Sequence, residues 1–427
     1  MERNSKVYRT YVEILRRELV CAMGCTEPIA IAYCAAAARA ALGSLPERVH
    51  VESSGNIIKN VKSVVVPNTD GRRGIAAAAA IGILGGDEHA GLQVISAVSD
   101  EAKARLAEYL ENTPISVSPA ESDYLLDITV TVEGGGHRVR VRAVQEHTNI
   151  VLVERDGETL ESRPLPSTER PADEAVPDYS LLTVADICDF AATCDLEDVR
   201  ELLERQIALN SAIADEGLRG DWGANIGKVL LRCGGDVRTR ARARAAAGSD
   251  ARMNGCELPV VINSGSGNQG LTASLPVIEY ARELGASDEQ LLRALVVSNL
   301  VTLHEKAGIG RLSAYCGAVS AGAGAGAGIA WLHGGGFPEV AHTIVNALAI
   351  SSGVVCDGAK SSCAGKIALA VDAGILGYEM YRCGQQFYGG DGLVRKGVES
   401  SIESFGRLGR VGMRETDREI IRMMTEC

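Results

Sequence analysis

The sequence predicts an α+β fold: a mainly helical core domain around a Gly/Ala-rich central helix, with a smaller α+β domain beside it. Three observations carry this expectation. The run AVSAGAGAGAGIAWL (318–332) and the later NALAISSGVV are apolar all round, which suits a buried helix better than a surface one. Residues 46–175 hold short, strand-like segments with Gly turns. From about 180 onward the pattern is helical, with few strand signals.

The central helix follows from an energetic argument. Each glycine inside a helix costs ~1 kcal/mol relative to alanine, so Gly322, Gly324, Gly326 and Gly328 together cost ~4 kcal/mol. Close backbone packing against neighbouring helices offsets that cost at the centre of a bundle. On a surface nothing would.

Taken in order, residues 1–45 read as N-terminal helices joining the helical core. VYRTYVEILRREL is amphipathic and IAIAYCAAAARAAL is Ala-rich. Between them, Gly24 and Pro28 interrupt the pattern and place Cys25 at a helix N-terminus, where the backbone N–H groups favour a thiolate. In residues 46–175, RVHVESSGNIIKN, SVVVP and LQVIS read as strands. GIAAAAAIGILGG and DEAKARLAEYLEN read as helices, and PISVS as a strand. DYLLDITVTVEGGGHRVRVRAVQEHTNIVLVERDG is an alternating meander turning at Gly134–Gly136 and at Asp156-Gly157. SRPLPSTERPADEAVPDY is a Pro-rich, charged linker. Residues 176–427 read as a helical domain, in which RARARA reads as a solvated helix face.

Composition excludes several function classes. The chain has 427 residues, 46% hydrophobic, and a mean hydropathy near zero, as a soluble globular protein would. No run of about 18 strongly apolar residues predicts a membrane span, and the charged N-terminus does not read as a signal peptide. A net charge of −12 argues against nucleic acid and anionic membranes. An aromatic content of 4% argues against a base-stacking platform. Twelve cysteines without an export signal imply reduced thiols and a cytoplasmic location.

Most of those cysteines read as small buried hydrophobes, but four lie among Gly and Ser: Cys25, Cys316, Cys356 and Cys363. Cys356 and Cys363 are seven residues apart, a rise of ~10.5 Å on a continuous helix. That is too far for one small cluster, so either the segment bends, at Gly358 or the Ser pair, or one of the two is not a ligand. Zinc would prefer CxxC pairs, and none is present. Scattered thiols are compatible with an iron–sulfur cluster. Asn263-Ser264-Gly265-Ser266-Gly267-Asn268-Gln269-Gly270 contains a GxGxxG, but the element after its helix is a second helix, not the strand a dinucleotide fold needs. A Gly-rich turn at a helix start binds an anion of any kind, including a substrate carboxylate, and it also occurs as a plain interhelical turn.

GCTEP, ESSGNIIKN, NSGSGNQG, SAYCGAV and CDGAKSSCAGK, in this order over residues 20–370, closely resemble the L-cysteine desulfidase family. That family is related to the alpha chain of iron–sulfur L-serine dehydratases. The resemblance implies a [4Fe-4S] cluster, no pyridoxal phosphate, and α,β-elimination from a small amino acid. It places the metal ligands at Cys25, Cys316 and Cys356, with Cys363 matching a further cysteine of the dehydratases. The loop before Cys363 is shorter than theirs, which makes Cys25 the better third ligand.

Elimination needs a base, because an α-proton is weakly acidic. His304, Lys306, Lys360, Glu27 and Asp357 lie near the motifs, with Lys360 and His304 preferred as catalytic residues; Glu27 capping its helix and Lys306 paired with Glu305 are the competing readings. Ser266, Asn268 and Gln269 are the candidates for holding the carboxylate. The expected activity is release of sulfide, pyruvate and ammonia from L-cysteine. Serine as the substrate, a pyridoxal-phosphate eliminase and a non-catalytic cluster or zinc protein are the alternatives. The expected partner is a small amino acid, with no nucleic acid and no membrane; a homodimer is the assembly considered. Cys427, the last residue, reads either as a plain surface thiol or as a temporary ligand to an open iron.

Overall fold

The structure, a computed structural model, describes residues 1–165 and 177–425. Most of the linker and Cys427 therefore lie outside the described residues. The elements run α1 (Lys6–Glu18), β1 (Cys21–Met23), α2 (Thr26–Leu42), β2 (Arg48–Ser53), α3 (Gly55–Val61), α4 (Gly74–Gly85), α5 (Asp100–Asn112), β3 (Ile115–Pro119), β4 (Asp127–Gly134), β5 (His137–Val144), β6 (Ile150–Arg155) and β7 (Glu158–Ser162). The chain continues through α6 (Val184–Thr193), α7 (Arg200–Arg219), α8 (Ile226–Cys233), α9 (Val237–Met253), β8 (Pro259–Val261), α10 (Gly267–Leu284), α11 (Asp288–Ile309) and α12 (Gly317–Leu332). It ends with α13 (Phe337–Ser351), α14 (Cys363–Arg382), α15 (Val398–Arg407) and α16 (Arg414–Thr425). This is an α+β fold with a helical core.

The six-stranded sheet has the order β3-β2-β4-β5-β6-β7. β2 and β3 are parallel and the other neighbours antiparallel. In β5, Val139, Val141 and Ala143 are buried, and the arginines between them point the other way, as a period of two requires. α2 and α4 cover the apolar face and share its core. The helical core contains α1 but not α2, so the two N-terminal helices part company. The reason is composition: α2, with Ile29, Ile31 and a run of alanines, is apolar on nearly all sides and lies flat on the sheet.

Three strand expectations are corrected. NIIKN forms α3, with Gly55 opening the helix. SVVVP contributes only a single bridge, Val65 to Arg73. LQVIS forms a 3-10 turn over Gly91–Gln93 followed by further turns. These apolar runs are buried by their neighbours without any ladder, and burial is all that their composition specifies.

α12 is enclosed by α10, α11, α13 and α14, as its glycines require. Added Cβ atoms would meet the carbonyl oxygen of Ala370 at Gly322, and that of Gly374 at 2.5 Å from Gly326, both on α14. At Gly324 and Gly328 they would meet the carbonyls of Ser298 at 2.6 Å and Ala294 at 2.9 Å, on α11. The four-residue spacing thus gives each neighbour its own glycine row. The arginines of RARARA are not merely solvated: Arg242 pairs with Asp372 at 3.5 Å and Arg244 with Glu279 at 2.9 Å, tying α9 to α14 and α10.

Candidate active site

Four helices begin around one locus. α2 starts after Cys25, α10 after Ser266, α12 after Cys316, and α14 at Cys363. Thr26 Oγ1 donates to the Gly265 carbonyl at 2.9 Å and ties the first to the second. Gln269 packs on Gly317, where a Cβ would lie 2.7 Å from its amide carbon, and ties the second to the third. The segment before α14 is sewn to the start of α12: the Cys356 N–H donates to the Ala314 carbonyl at 2.6 Å, and the Cys316 N–H to that of Val354 at 3.1 Å. Helix N-termini carry partial positive charge, so this locus favours anions.

The seven residues from Cys356 to Cys363 do bend. Gly358 has φ +91°, and an added Cβ would strike the Lys59 carbonyl, so only glycine fits. Asp357 staples the bend by pairing with Lys360 at 2.5 Å and with Lys366. Burial raises its carboxyl, but the hydrogen bonds and charges of the two lysines outweigh that and bring it to about 2. Cys316, Cys356 and Cys363 consequently come within charge-interaction range of one another. Burial, reinforced by Cys356, pushes the Cys316 thiol up to about 12. Lys306, on α11, is 3% exposed; burial pulls it down to about 8 against the attraction of Cys356 and Cys316.

The preferred bases sit elsewhere or are occupied. His304 is bonded through Nε2 to Glu399 of α15 at 2.6 Å. It lies two residues from Lys306, roughly 200° around the helix, and so faces away from the thiols. Lys360 donates to the carbonyls of Asp357 at 2.9 Å and Gly358 at 3.2 Å, holding the bend together. The fully buried Glu305 does not pair with Lys306; burial pushes its carboxyl well above the usual range, beside Ser320 and Tyr315.

Cys25 has a carboxylate partner. It is buried with Val64 and Met253 and packs against Ala359 and Cys363, but it donates its S–H to Glu27 Oε2 at 2.9 Å. Burial and then the Glu27 carboxylate push the thiol well above its ordinary range, outweighing the helix terminus that favours a thiolate. Glu27 also accepts from Asn60 Nδ2 at 2.9 Å. Burial raises the Glu27 carboxyl, but His147, the Cys25 hydrogen bond and Arg252 hold it below its ordinary value.

Two residues here carried no motif. His147, from the turn after β5, is 5% exposed, and burial lowers its imidazole against the pull of Glu27. Among the described residues its Nε2 has no partner. Arg252, near the end of α9, is 1% exposed and lies against Gly267. In sequence, His147 looks like part of a hairpin turn and Arg252 like the tail of a basic helix face. Of the carboxylate candidates, Gln269 is buried with Oε1 unpartnered, Asn268 accepts from Arg252 Nη1 at 3.1 Å, and Ser266 is half-buried as the N-cap of α10. β8 pairs antiparallel with β1, so the glycine loop is not part of a dinucleotide βαβ unit.

Among the described residues, no three or more His, Cys, Asp or Glu side chains are placed to hold one metal ion. A cluster asks something different, since its thiolates bind separate irons. The three mutually interacting thiols fit that demand, with Lys306 and Lys366 as nearby cations. Cys25 bonds Glu27 and belongs to the small apolar cluster on which Cys363 packs. No helix among the described residues is long and apolar enough to cross a membrane.

The family model for the serine dehydratase alpha chain matches residues 89–422. A UPF0597 protein of Desulfitobacterium hafniense is 59% identical over 100% of this chain and 99% of its own. One from Lachnoclostridium phytofermentans is 49% identical over 98% of this chain and 100% of its own. One from Treponema denticola is 44% identical over 99% of each.

Proposed function

The chain belongs to the serine dehydratase alpha chain family of lyase-type enzymes, and from that premise we propose that it is a carbon–sulfur lyase acting on L-cysteine. The observation that carries the proposal is the convergence of Cys316, Cys356 and Cys363 at the starts of α12 and α14 beside buried Lys306. These three thiolates would hold a [4Fe-4S] cluster. Such a cluster supplies an open iron that acts as a Lewis acid toward the leaving group.

The chain's own residues supply the rest. The glycine loop, with Ser266, Asn268 and Gln269, holds the substrate carboxylate at the start of α10. His147, kept neutral by burial and with Nε2 free, takes the α-proton, and Glu27 steadies the imidazolium that forms. Lys306 balances thiolate charge. Loss of the α-proton and of the β-sulfur gives aminoacrylate and hydrogen sulfide, and water then converts aminoacrylate to pyruvate and ammonia.

The surroundings of Cys363 support cysteine over serine. Val64, Met253, Ala359 and Cys25 make that cluster apolar and sulfur-rich, which suits a thiol, whereas selecting serine would need groups placed to bond its hydroxyl. The test is anaerobic purification, assay of iron and acid-labile sulfide, and pyruvate formation from each amino acid. The expected result is a higher kcat/KM for L-cysteine. The reverse order would transfer the assignment to L-serine, and no pyruvate from either would end the lyase reading.

A further inference from the structure

Arg252 presents an unusual electrostatic situation. Its side chain is 1% exposed, yet it forms no ion pair among the described residues. Nη1 donates to Asn268 at 3.1 Å, while Nε and Nη2 have no partner. A buried, unpaired guanidinium is costly, because it loses water without gaining an anion. Nε and Nη2 form one edge of the guanidinium, the edge that takes a carboxylate two-handed. The chain shows that pairing at Arg142, whose Nε and Nη2 bond the two oxygens of Asp127 at 3.0 and 2.6 Å.

Gly267, the first residue of α10, lies directly against that edge; a Cβ there would clash with Nε and come within 2.7 Å of Cζ. The N-terminus of this eighteen-residue helix adds its own attraction for an anion. Gln269, with Oε1 unpartnered, reaches from the same turn to Gly317 beside Cys316. Glu27 is the acidic group in range, and its oxygens are engaged by Asn60, Cys25 and Thr26.

We propose that the Nε–Nη2 edge of Arg252, at the start of α10, is the subsite that binds the α-carboxylate of an amino-acid substrate. It makes a free carboxylate a requirement for binding, and it sets the substrate's β-carbon toward the thiols through the span of Gln269. This rests on the lyase reading for the identity of the ligand, but binding is measured without turnover.

The probe is L-alanine, which has no β-leaving group, titrated calorimetrically into the anaerobically purified holoprotein alongside L-alaninamide and inorganic phosphate. The wild type is expected to bind L-alanine and to discriminate against the amide. Arg252→Met is expected to weaken L-alanine at least ~100-fold, and Arg252→Lys to fall between. Because a buried guanidinium without an anion is costly and Arg252 has only its bond to Asn268 to lose, Arg252→Met is also expected to melt at or above the wild-type temperature when ligand-free. Equal affinity of the wild type for acid and amide would overturn the inference without any variant. So would no binding of L-alanine, displacement of it by equimolar phosphate, or an unchanged affinity in Arg252→Met. Failure of the lyase reading looks different: L-alanine binds as described, but neither L-cysteine nor L-serine yields pyruvate.

Discussion

Side chains of the same type divide at this site according to what surrounds them. Cys316, Cys356 and Cys363 face one another and two lysines, whereas Cys25 faces a carboxylate. Alanine at any of the first three is expected to remove the iron and reduce activity to background, and Cys25→Ser to retain most of the iron; equal iron content across all four variants would break this grouping. The histidines divide likewise. His147→Asn is expected to lower kcat by ~10²–10⁴-fold with the iron intact, while His304→Ala changes it by less than ~2-fold. The pH dependence has a definite sign. Burial holds folded His147 below the imidazole value of about 6.5, so the acid limb of kcat should lie below that pH. As pH falls through about 6.5 the unfolded chain takes up the proton first, so His147's contribution to stability is lost from there down to its lowered folded value. An acid limb of kcat above pH ~7, or one that survives in His147→Asn, would remove it as the base.

At the scale of elements, the central helix turns a poor local propensity into a packing device. α12 meets α14 and α11 so closely that backbone lies on backbone at its glycines. Gly326→Ala should therefore destabilise by about 1–3 kcal/mol, although alanine is the better helix former by ~1 kcal/mol. Gly324→Leu should prevent folding or cluster assembly, since its Cβ would lie 2.6 Å from the Ser298 carbonyl. Gly365, in the first turn of α14, has nothing within 4 Å of an added Cβ, and Gly365→Ala should gain up to ~1 kcal/mol. Thermal melts of the three variants check the opposite signs. A Gly326→Ala protein as stable as the wild type would mean that the helices have room to part.

Across the whole molecule, the C-terminal helix supports the thiol loop from a distance. Asp417 of α16 accepts from Lys59 at 2.6 Å and from Asn56 at 2.9 Å, and all three side chains are buried. The Lys59 carbonyl in turn lies against Gly358, at the bend that presents Cys363. Removing one partner of a buried pair strands the other charge, so Asp417→Leu should cost about 3–5 kcal/mol. Adding Lys59→Met should restore most of that. Denaturant unfolding of the two single variants and the double variant measures the coupling, and simple additivity would show that the pair contributes nothing as a pair.

What the sequence determined by itself was whatever depends on local order. The glycine run implied a buried helix because no exposed helix tolerates four glycines, and the alternation from β4 to β7 implied a meander with turns at its glycines. The motif cysteines were legible, and so was the choice between a bend after Cys356 and one cysteine fewer in the ligand set, because helical rise is fixed by geometry. Burial in SVVVP and LQVIS was legible, but the absence of ladders was not, since apolar composition does not specify a pairing partner. Only the tertiary structure decided which titratable groups share a site. Arg252 stands against Gly267 and His147 near Glu27 because α9, α10, α2 and the sheet meet there, across sequence separations that no periodicity spans. The same packing gave His304 and Cys25 their partners: two residues of helix turned His304 toward Glu399, and the start of α2 set the Cys25 thiol on Glu27.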